Sequence, residues 1–413
     1  MIYLDHAAAT PVIPQALEAM QPFWSEQFFN PSSPYLPAKH VRETYEDYKN
    51  RLAHLIGAKG SDLIITAGAT EANNLAFTAA KGKVLILATE HDSIFAVAKN
   101  HAYETITVDN YGRINLDDLR AKLDHTVSFI SIALVNGELG TIQPLSEIAE
   151  TIKTERLRRL EAGETLPLVF HSDASQALGL LNISVARLGV DLLTLNSAKI
   201  GGPKGVGALY AGHGVKLQPL TFGGGQERGL RAGTENVAGL AGFTVAADEA
   251  QQHLTSSRQK YAEFTQILRT ELLKSPVKPL FLGVKNRKDE KTGAPKLPKP
   301  SHHQLANFCP VSFPGLDAER LIYLLEDPTT FTALASAEPV YLSTGAACAA
   351  SKGEKSRTLQ AIDLSDPEIA GSLRISFGST NTKEQIKQAG ELIVAAVQTE
   401  KTRLENYGKH FSS

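Results

Sequence analysis

A lysine that stands between a buried apolar run and a glycine-rich turn is the first feature of this sequence that could do chemistry. Lys199 follows the apolar segment 191–195 and precedes a turn with several glycines at 201–207. A desolvated lysine has a lowered pKa and can form a Schiff base with a carbonyl compound. A lysine of an ordinary loop beside a tight turn is the alternative, and position alone leaves both open.

Two more polar residues follow predicted strands. Asp173 comes after segment 167–171, and in open α/β sheets ligands bind at the carboxyl ends of the strands. A carboxylate there can keep a pyridine nitrogen protonated, which makes the ring an electron sink, although a helix N-cap is the alternative role. His91 follows segment 83–88 and could stack on a flat ring or move protons, or it could be purely structural.

The junction at 68–71 (Gly-Ala-Thr-Glu) joins a predicted strand to a predicted helix. The N–H groups that begin a helix, together with the Thr70 hydroxyl, form a natural cradle for a phosphate. The same residues could simply cap the helix.

The chain has two cysteines, in contrasting surroundings. Cys348 stands among small residues at 343–351, which favours an accessible and reactive thiol, whereas Cys309 adjoins an apolar run and is predicted to pack. Two cysteines without a Cys-x-x-Cys spacing argue against a disulfide framework and a zinc site, and the adjacent pair His302–His303 fits an exposed loop better than a metal site.

Bulk properties narrow the class of protein. The 413 residues, 42% hydrophobic and 21% charged, suit a globular protein of two domains. A formal charge of −2 does not favour direct contact with nucleic acid. The N-terminus lacks the pattern of a signal peptide and no apolar run is long enough to cross a membrane, so we expect a cytoplasmic protein.

Short apolar runs alternate with longer amphipathic ones, as in a mainly parallel sheet covered by helices. The predicted strands are 63–66, 83–88, 127–135, 167–171, 191–195 and 205–211, and the predicted helices include 70–80 and 145–162. After about residue 249 a long helical stretch, a loop at 285–300 and a smaller α+β region are expected.

Taken in order, these segments resemble the cysteine desulfurases of the class V aminotransferase group, and the cysteine segment resembles the housekeeping and nitrogen-fixation branch. The resemblance covers nearly the whole chain and rests on residues 3–11, 30–33, 68–71, 90–91, 136–141, 173–176, 199, 223–229, 231–234, 348 and 373–376.

The resemblance implies the α/β fold type I of pyridoxal-phosphate-dependent transferases, with a mainly parallel central sheet covered by helices and a smaller α+β domain. Residues 14–255 would form the large cofactor-binding domain. Residues 1–13 and 256–413 would form the small domain, with the cysteine loop at about 340–356. The resemblance also implies an obligate homodimer.

Site roles follow from the same resemblance. Lys199 would form the Schiff base with pyridoxal 5'-phosphate and then move the substrate α-proton. Asp173 would pair with the pyridinium nitrogen, Gln176 would bind the ring hydroxyl, and His91 would stack on the ring and assist proton transfer.

The phosphate would be held by Ala69, Thr70 and Asn196, with Thr234 reaching in from the partner subunit. Arg374 would bind the substrate carboxylate with both arms of its guanidinium.

The implied reaction converts L-cysteine to L-alanine and leaves the sulfur as a persulfide on Cys348, for transfer to an iron–sulfur scaffold or a thiolation enzyme. A selenocysteine lyase or another β-lyase on the same scaffold is one alternative. A degenerate, non-catalytic family member that acts as a binding partner is the other.

Four positions depart from the family pattern: Gly137, Asn196, Ala198 and Gln226. An insertion also occurs near residues 153–165. A lost neutral hydrogen bond costs on the order of 1 kcal/mol, so we expect cofactor binding to weaken about tenfold per lost contact while activity survives.

Overall fold

A computed structural model describes residues 1–288, 295–298, 301–331, 337–345 and 355–410 of the chain. Its strands are β1 Ile2–Tyr3, β2 Leu63–Thr66, β3 Lys83–Leu87, β4 Tyr103–Ile106, β5 Val127–Ser131, β6 Val169–Asp173, β7 Leu192–Asn196, β8 Gly207–Ala211, β9 Leu280–Phe281, β10 Arg287–Lys288, β11 Pro295–Lys296, β12 Val311–Ser312, β13 Val340–Tyr341, β14 Ser343–Thr344 and β15 Ser372–Arg374.

The helices alternate with these strands through most of the chain. They are α1 Pro14–Met20, α2 Pro22–Ser25, α3 Leu36–His54, α4 Ala69–Phe77, α5 Asp92–Ala98, α6 Leu116–Lys122, α7 Leu145–Glu161, α8 Val185–Leu188, α9 Val237–Gln252, α10 Leu254–Leu272, α11 Ala318–Glu326, α12 Arg357–Ala361, α13 Asp366–Ala370 and α14 Lys383–His410, with 3₁₀ turns at Gly60–Asp62, Ser197–Lys199, Gln226–Gly229 and Pro328–Thr330.

Seven strands form the central sheet in the order β2-β8-β7-β6-β5-β3-β4. Strand β8 runs antiparallel to both of its neighbours, and the other pairs are parallel. Every strand except β8 therefore ends at the same edge. All residues of β5 and β6 are buried, as expected for strands with helices on both faces. The mainly parallel α/β fold predicted from the sequence is confirmed.

Some predicted boundaries are wrong by a few residues. The run 127–135 forms a strand only to Ser131, because its pairing with β3 ends there, although Ile132 and Leu134 still donate to carbonyls of β6. The predicted strand at 167–171 instead spans Val169–Asp173, so Asp173 is the last strand residue. Segment 205–211 begins its strand at Gly207, after a turn.

A second sheet of four strands has the order β14-β15-β12-β9, and its pairs are antiparallel. Strand β1 from the start of the chain pairs in parallel with β13. The core beside this sheet combines the N-terminal Ile2 and Leu4 with residues from α10 and α14. The N-terminus is thus built into the C-terminal half of the fold.

The region around 285–300, predicted as a loop, contains the short antiparallel pair β10 and β11, and its other predicted loop positions at 289–294 and 299–300 lie outside the described residues. Within the described part of the chain, none of the helices combines the length and apolar character needed to span a membrane.

Candidate active site

A cavity of about 830 Å³ lies where the central sheet ends and the second sheet begins. It is lined by residues from the ends of β3, β6 and β7, from the start of α4 and from β15. Eight residues predicted from the sequence share this cavity: Ala69, Thr70, His91, Asp173, Gln176, Asn196, Lys199 and Arg374.

A hydrogen-bonded chain holds the carboxylate of Asp173 in place. The carboxylate accepts from the Ser175 N–H at 2.9 Å and from the side-chain amide of Asn73 at 2.9 Å. The same Asn73 nitrogen donates to the Ser93 hydroxyl oxygen at 3.0 Å. Asp173 and Ser93 are 7% and 8% exposed, and Asn73 is fully buried, so water does not compete for these bonds.

The chain continues to His91, which caps the start of α5. Its Nδ1 accepts from the Ser93 N–H at 3.1 Å and lies 2.9 Å from the Ser93 hydroxyl. Because Ser93 accepts from Asn73, its own O–H is available to donate to Nδ1. A neutral His91 therefore carries its hydrogen on Nε2.

Lys199 ends the 3₁₀ turn that follows β7, and Asn196 caps this turn by accepting from the Ala198 N–H at 3.3 Å. The Lys199 ammonium donates to the carbonyls of Ala7, at 2.8 Å, and Ala8. The N-terminal segment thus crosses to the sheet edge and covers the lysine.

Arg374 approaches the cavity from β15. Its guanidinium donates to Asp5 Oδ1 at 2.9 Å and lies 3.5 Å from the Gly137 carbonyl oxygen. Arg374 is 9% exposed. Its Nε is buried without a hydrogen-bond partner among the described residues, so the group retains an unused donor.

The first turn of α4 lies at another part of the cavity wall. Gly68 caps it with φ of 144°, a conformation that favours glycine, and no atom lies within 4 Å of the place a Cβ would occupy. The opening N–H groups of a helix have no partner within the helix, and here they begin at the cavity beside Thr70.

Gln176 and Gly137 lie close together on the cavity wall. The Gln176 amide donates to the Ala7 carbonyl at 2.9 Å. A Cβ built on Gly137 would lie 3.4 Å from the Gln176 amide nitrogen, which is at the edge of ordinary van der Waals contact. The position therefore has room for a Cβ in contact with Gln176.

The rim of the cavity is tied to the segment at 355–358. Ser356 donates to a carboxylate oxygen of Glu138 at 2.6 Å, and burial raises the pKa of Glu138. Arg357 pairs with Asp92 at the start of α5 and lies over the Phe95 ring at 4.9 Å.

Two predicted site residues are not among those the cavity brings together. Thr234 is exposed and does not line this cavity in its own chain. Cys348 lies outside the described residues. Cys309 is fully buried, as the sequence predicts, and burial raises the pKa of its thiol.

Sequence reasoning missed three residues of the site: Asn73, Glu90 and Asp5. Asn73 is buried on the same face of α4 as Ala76 and Phe77, and an asparagine at i, i+3 and i+4 spacing with apolar residues signals a buried polar group. Asp5 gives no comparable signal because its partner Arg374 is 369 positions away.

The cavity suits pyridoxal phosphate. It combines a fixed, buried carboxylate at Asp173, an amine at Lys199 and a helix start at Ala69, and its volume is in the range of small-molecule cofactor sites. The buried hydroxyl oxygen of Ser175, a cavity residue, has no hydrogen-bond partner among the described residues, as expected for a group that meets a ligand or water.

Comparisons with known proteins agree with this geometry. Residues 2–389 match the class V aminotransferase family. The cysteine desulfurase IscS of Methanosarcina thermophila is 35% identical in an alignment of 409 residues that covers 96% of this chain and 92% of the relative.

Solved structures show the same likeness. A NifS-like protein superposes with a TM-score of 0.81 at 26% identity, covering 96% of this chain and 99% of that one. A structure described as SspA in complex with cysteine has a TM-score of 0.70 at 28% identity, covering 91% and 99% of the two chains. The chain therefore belongs to the class V aminotransferases and, among them, to the cysteine desulfurases, which are pyridoxal-phosphate-dependent enzymes.

Proposed function

We propose that this enzyme converts L-cysteine to L-alanine and holds the sulfur as a persulfide on Cys348. The observation that carries the proposal is the convergence of Lys199, Asp173 and Arg374 on one cavity, the first two from the ends of neighbouring strands of the central sheet and the third from the second sheet. The structural neighbour SspA, which was solved with cysteine, adds support for the substrate.

Bound pyridoxal phosphate supplies an electron sink for the substrate's Cα and Cβ. Asp173 is the residue proposed to pair with its ring nitrogen, Gln176 with its hydroxyl, and His91 with its ring face. The phosphate is assigned to the start of α4, with Ala69 and Thr70, and to Asn196.

Lys199 is proposed to take the substrate α-proton on its amine and to return it. Arg374 is proposed to bind the substrate carboxylate, a task for which the planar guanidinium is suited. Its contact with Asp5 orients the guanidinium before substrate arrives.

The sulfur transfer is assigned to the Cys348 thiolate, which attacks the substrate sulfur. A bond forms between the two sulfur atoms and the substrate C–S bond breaks, with its electron pair going to the carbon that becomes the alanine methyl group. Cysteine plus the thiol thus gives alanine plus the persulfide, without an external oxidant or reductant.

We further propose a homodimer in which Thr234 contributes to the partner's site. Thr234 is exposed and does not line the cavity of its own chain. Large apolar side chains at Trp24, Phe28 and Leu36 are 68%, 65% and 64% exposed, which is typical of a surface that another subunit covers.

The division into a large domain at 14–255 and a small domain at 1–13 and 256–413 is also a proposal. It is supported by separate apolar clusters around the two sheets and by the helix boundary between Gln252 and Leu254. A cytoplasmic location is supported by the scarcity of cysteines, and the persulfide would pass to an iron–sulfur scaffold or thiolation enzyme.

The test is to incubate the cofactor-loaded protein with L-cysteine and to measure alanine, sulfide and the mass of the intact chain. Cys348→Ala is compared with Cys309→Ala, which removes the buried cysteine and serves as the matched control. We expect alanine, and one added sulfur on Cys348, in the wild type and in Cys309→Ala, with loss of both in Cys348→Ala.

Other outcomes would overturn the proposal in distinct ways. Cofactor binding without alanine would point to another substrate, and selenocysteine would be tried next. A protein that binds no cofactor would be a degenerate scaffold. Equal alanine and sulfide from Cys348→Ala would remove the thiol from the mechanism.

A further inference from the structure

Several buried polar atoms that have no hydrogen-bond partner in the described part of the chain lie on the segments that meet at the Asp173 end of the cavity. Among the described residues, side-chain oxygens of Asn73, Thr89, Glu90, Ser172 and Ser175 are buried and have no hydrogen-bond partner. All five belong to α4 or to the segments at the ends of β3 and β6. Buried polar atoms without partners are rare in folded proteins, so these groups are expected to form hydrogen bonds with additional donors or with internal water.

Glu90 is the acid among these residues. It is 5% exposed, and its Oε1 accepts from the Ala133 N–H at 2.6 Å, which joins the end of β3 to the chain that follows β5. Its Oε2 has no partner among the described residues. Burial, with the charge of Asp173 adding to it, raises the pKa of Glu90 well above its ordinary value.

The balance of donors and acceptors depends on the protonation of Glu90. The Asn73 amide nitrogen is committed to Asp173 and Ser93, so its buried Oδ1 can only accept. An ionised Glu90 would be a buried carboxylate without a cation partner among the described residues, with the Ala133 N–H on one oxygen and no donor on the other, and such a charge is costly. A neutral Glu90 carries an O–H that can donate.

We propose that Glu90 is a positioning residue that acts as a neutral carboxylic acid, whose O–H donates to the unmet side-chain oxygen of Asn73 and so fixes Asn73. Asn73 then holds Asp173 on one side and, through Ser93, His91 on the other. The inference rests on the proposed pairing of Asp173 with the cofactor ring.

The first experiment compares Glu90→Gln with Glu90→Ala. Glutamine is neutral, keeps an oxygen for the Ala133 N–H and donates from its amide, so cofactor affinity should stay within about threefold of the wild type. Alanine removes both bonds, and affinity should fall by about tenfold or more, since each lost hydrogen bond costs about 1 kcal/mol. Affinity is measured by titrating apo-protein with pyridoxal phosphate and following absorbance.

The second experiment is infrared spectroscopy of the apo-protein at neutral pH in water and in deuterium oxide. The wild type should show the carbonyl band of a protonated carboxylic acid that shifts on deuteration, and Glu90→Gln should lose it. Glu138→Gln is the matched control, because Glu138 is the other cavity acid whose pKa burial raises, and it should retain the Glu90 band.

Each result decides the inference. Glu90→Gln failing as badly as Glu90→Ala, with folding intact by circular dichroism, would mean that a negative charge is needed there. Unchanged affinity in Glu90→Ala, or no acid band lost in Glu90→Gln, would also overturn it. Neither readout uses cysteine turnover, so failure of the proposed desulfurase reaction would be seen separately.

Discussion

Replacing Asn73 with alanine tests whether the cavity floor is organised as its hydrogen bonds indicate. Asn73 is fully buried and donates to Asp173 at 2.9 Å and to Ser93 at 3.0 Å. The substitution removes both donors and leaves the carboxylate with the Ser175 N–H as its remaining partner among the described residues.

The expected magnitude follows from the charge on the acceptor. A hydrogen bond to an ionised group contributes about 1.5–3 kcal/mol, and the bond to the Ser93 hydroxyl about 1 kcal/mol. Losing the Asn73–Asp173 hydrogen bond should lower the affinity for pyridoxal phosphate, because Asp173 is then held less firmly against the cofactor. Since about 1.4 kcal/mol corresponds to a factor of ten, binding should weaken by about 10- to 100-fold.

The assay is a titration of apo-protein with pyridoxal phosphate, with thermal unfolding of each apo-protein measured alongside. Asn100→Ala is the matched control, because it makes the same substitution at an exposed position. We expect Asn100→Ala to bind like the wild type. An Asn73→Ala protein that folds and binds the cofactor within twofold of that control would refute the argued role of the Asp173 hydrogen bonds.

Three further predictions concern charge and stability. His6 is buried, and burial lowers its pKa to about 4, so the unfolded chain binds more protons than the folded one below about pH 6.5. The free energy of unfolding should therefore fall by about 2 kcal/mol between pH 7.5 and 5. Urea unfolding of His6→Asn should show a weaker dependence on pH. Lys49→Met should lower the free energy of unfolding by about 3–5 kcal/mol, because it leaves the buried Glu227 carboxylate without its cation. The double variant with Glu227→Gln should regain much of this stability, as measured by thermal unfolding. Arg374→Lys should raise the KM for cysteine at least about tenfold with a smaller change in kcat, because an ammonium cannot reproduce the guanidinium fork; an unchanged KM would argue against Arg374 as the carboxylate site.

Short runs of apolar and β-branched residues made much of the central sheet predictable from the sequence. The segment at 63–66 is a strand with the predicted bounds, because four consecutive apolar or β-branched residues in a buried position have few alternatives. The prediction of a strand at 127–135 was too long, because the apolar run continues past the point where pairing with β3 ends. Hydrophobicity records burial, and it does not record where strand pairing ends.

Some of the cavity residues could likewise be predicted from the sequence. Lys199 and His91 follow strands and Asp173 ends one. Since parallel strands end at one edge of a sheet, the sequence order itself implies that these side chains meet. The motif order also indicated the family, which the comparisons confirm. These inferences need only local sequence and the general geometry of α/β sheets.

Long-range pairings were decided by the tertiary structure alone. The contact between Asp5 and Arg374 joins residues near the two ends of the chain. The carbonyls of Ala7 and Ala8 accept from Lys199, which lies 192 and 191 positions away in the sequence. The orientation of Asn73 and the neutral state inferred for Glu90 depend on burial beside Asp173. Burial and through-space charge arise only when distant segments pack together, so the sequence determined which chemical groups are available, and packing determined which of them are paired, desolvated and held at the cavity.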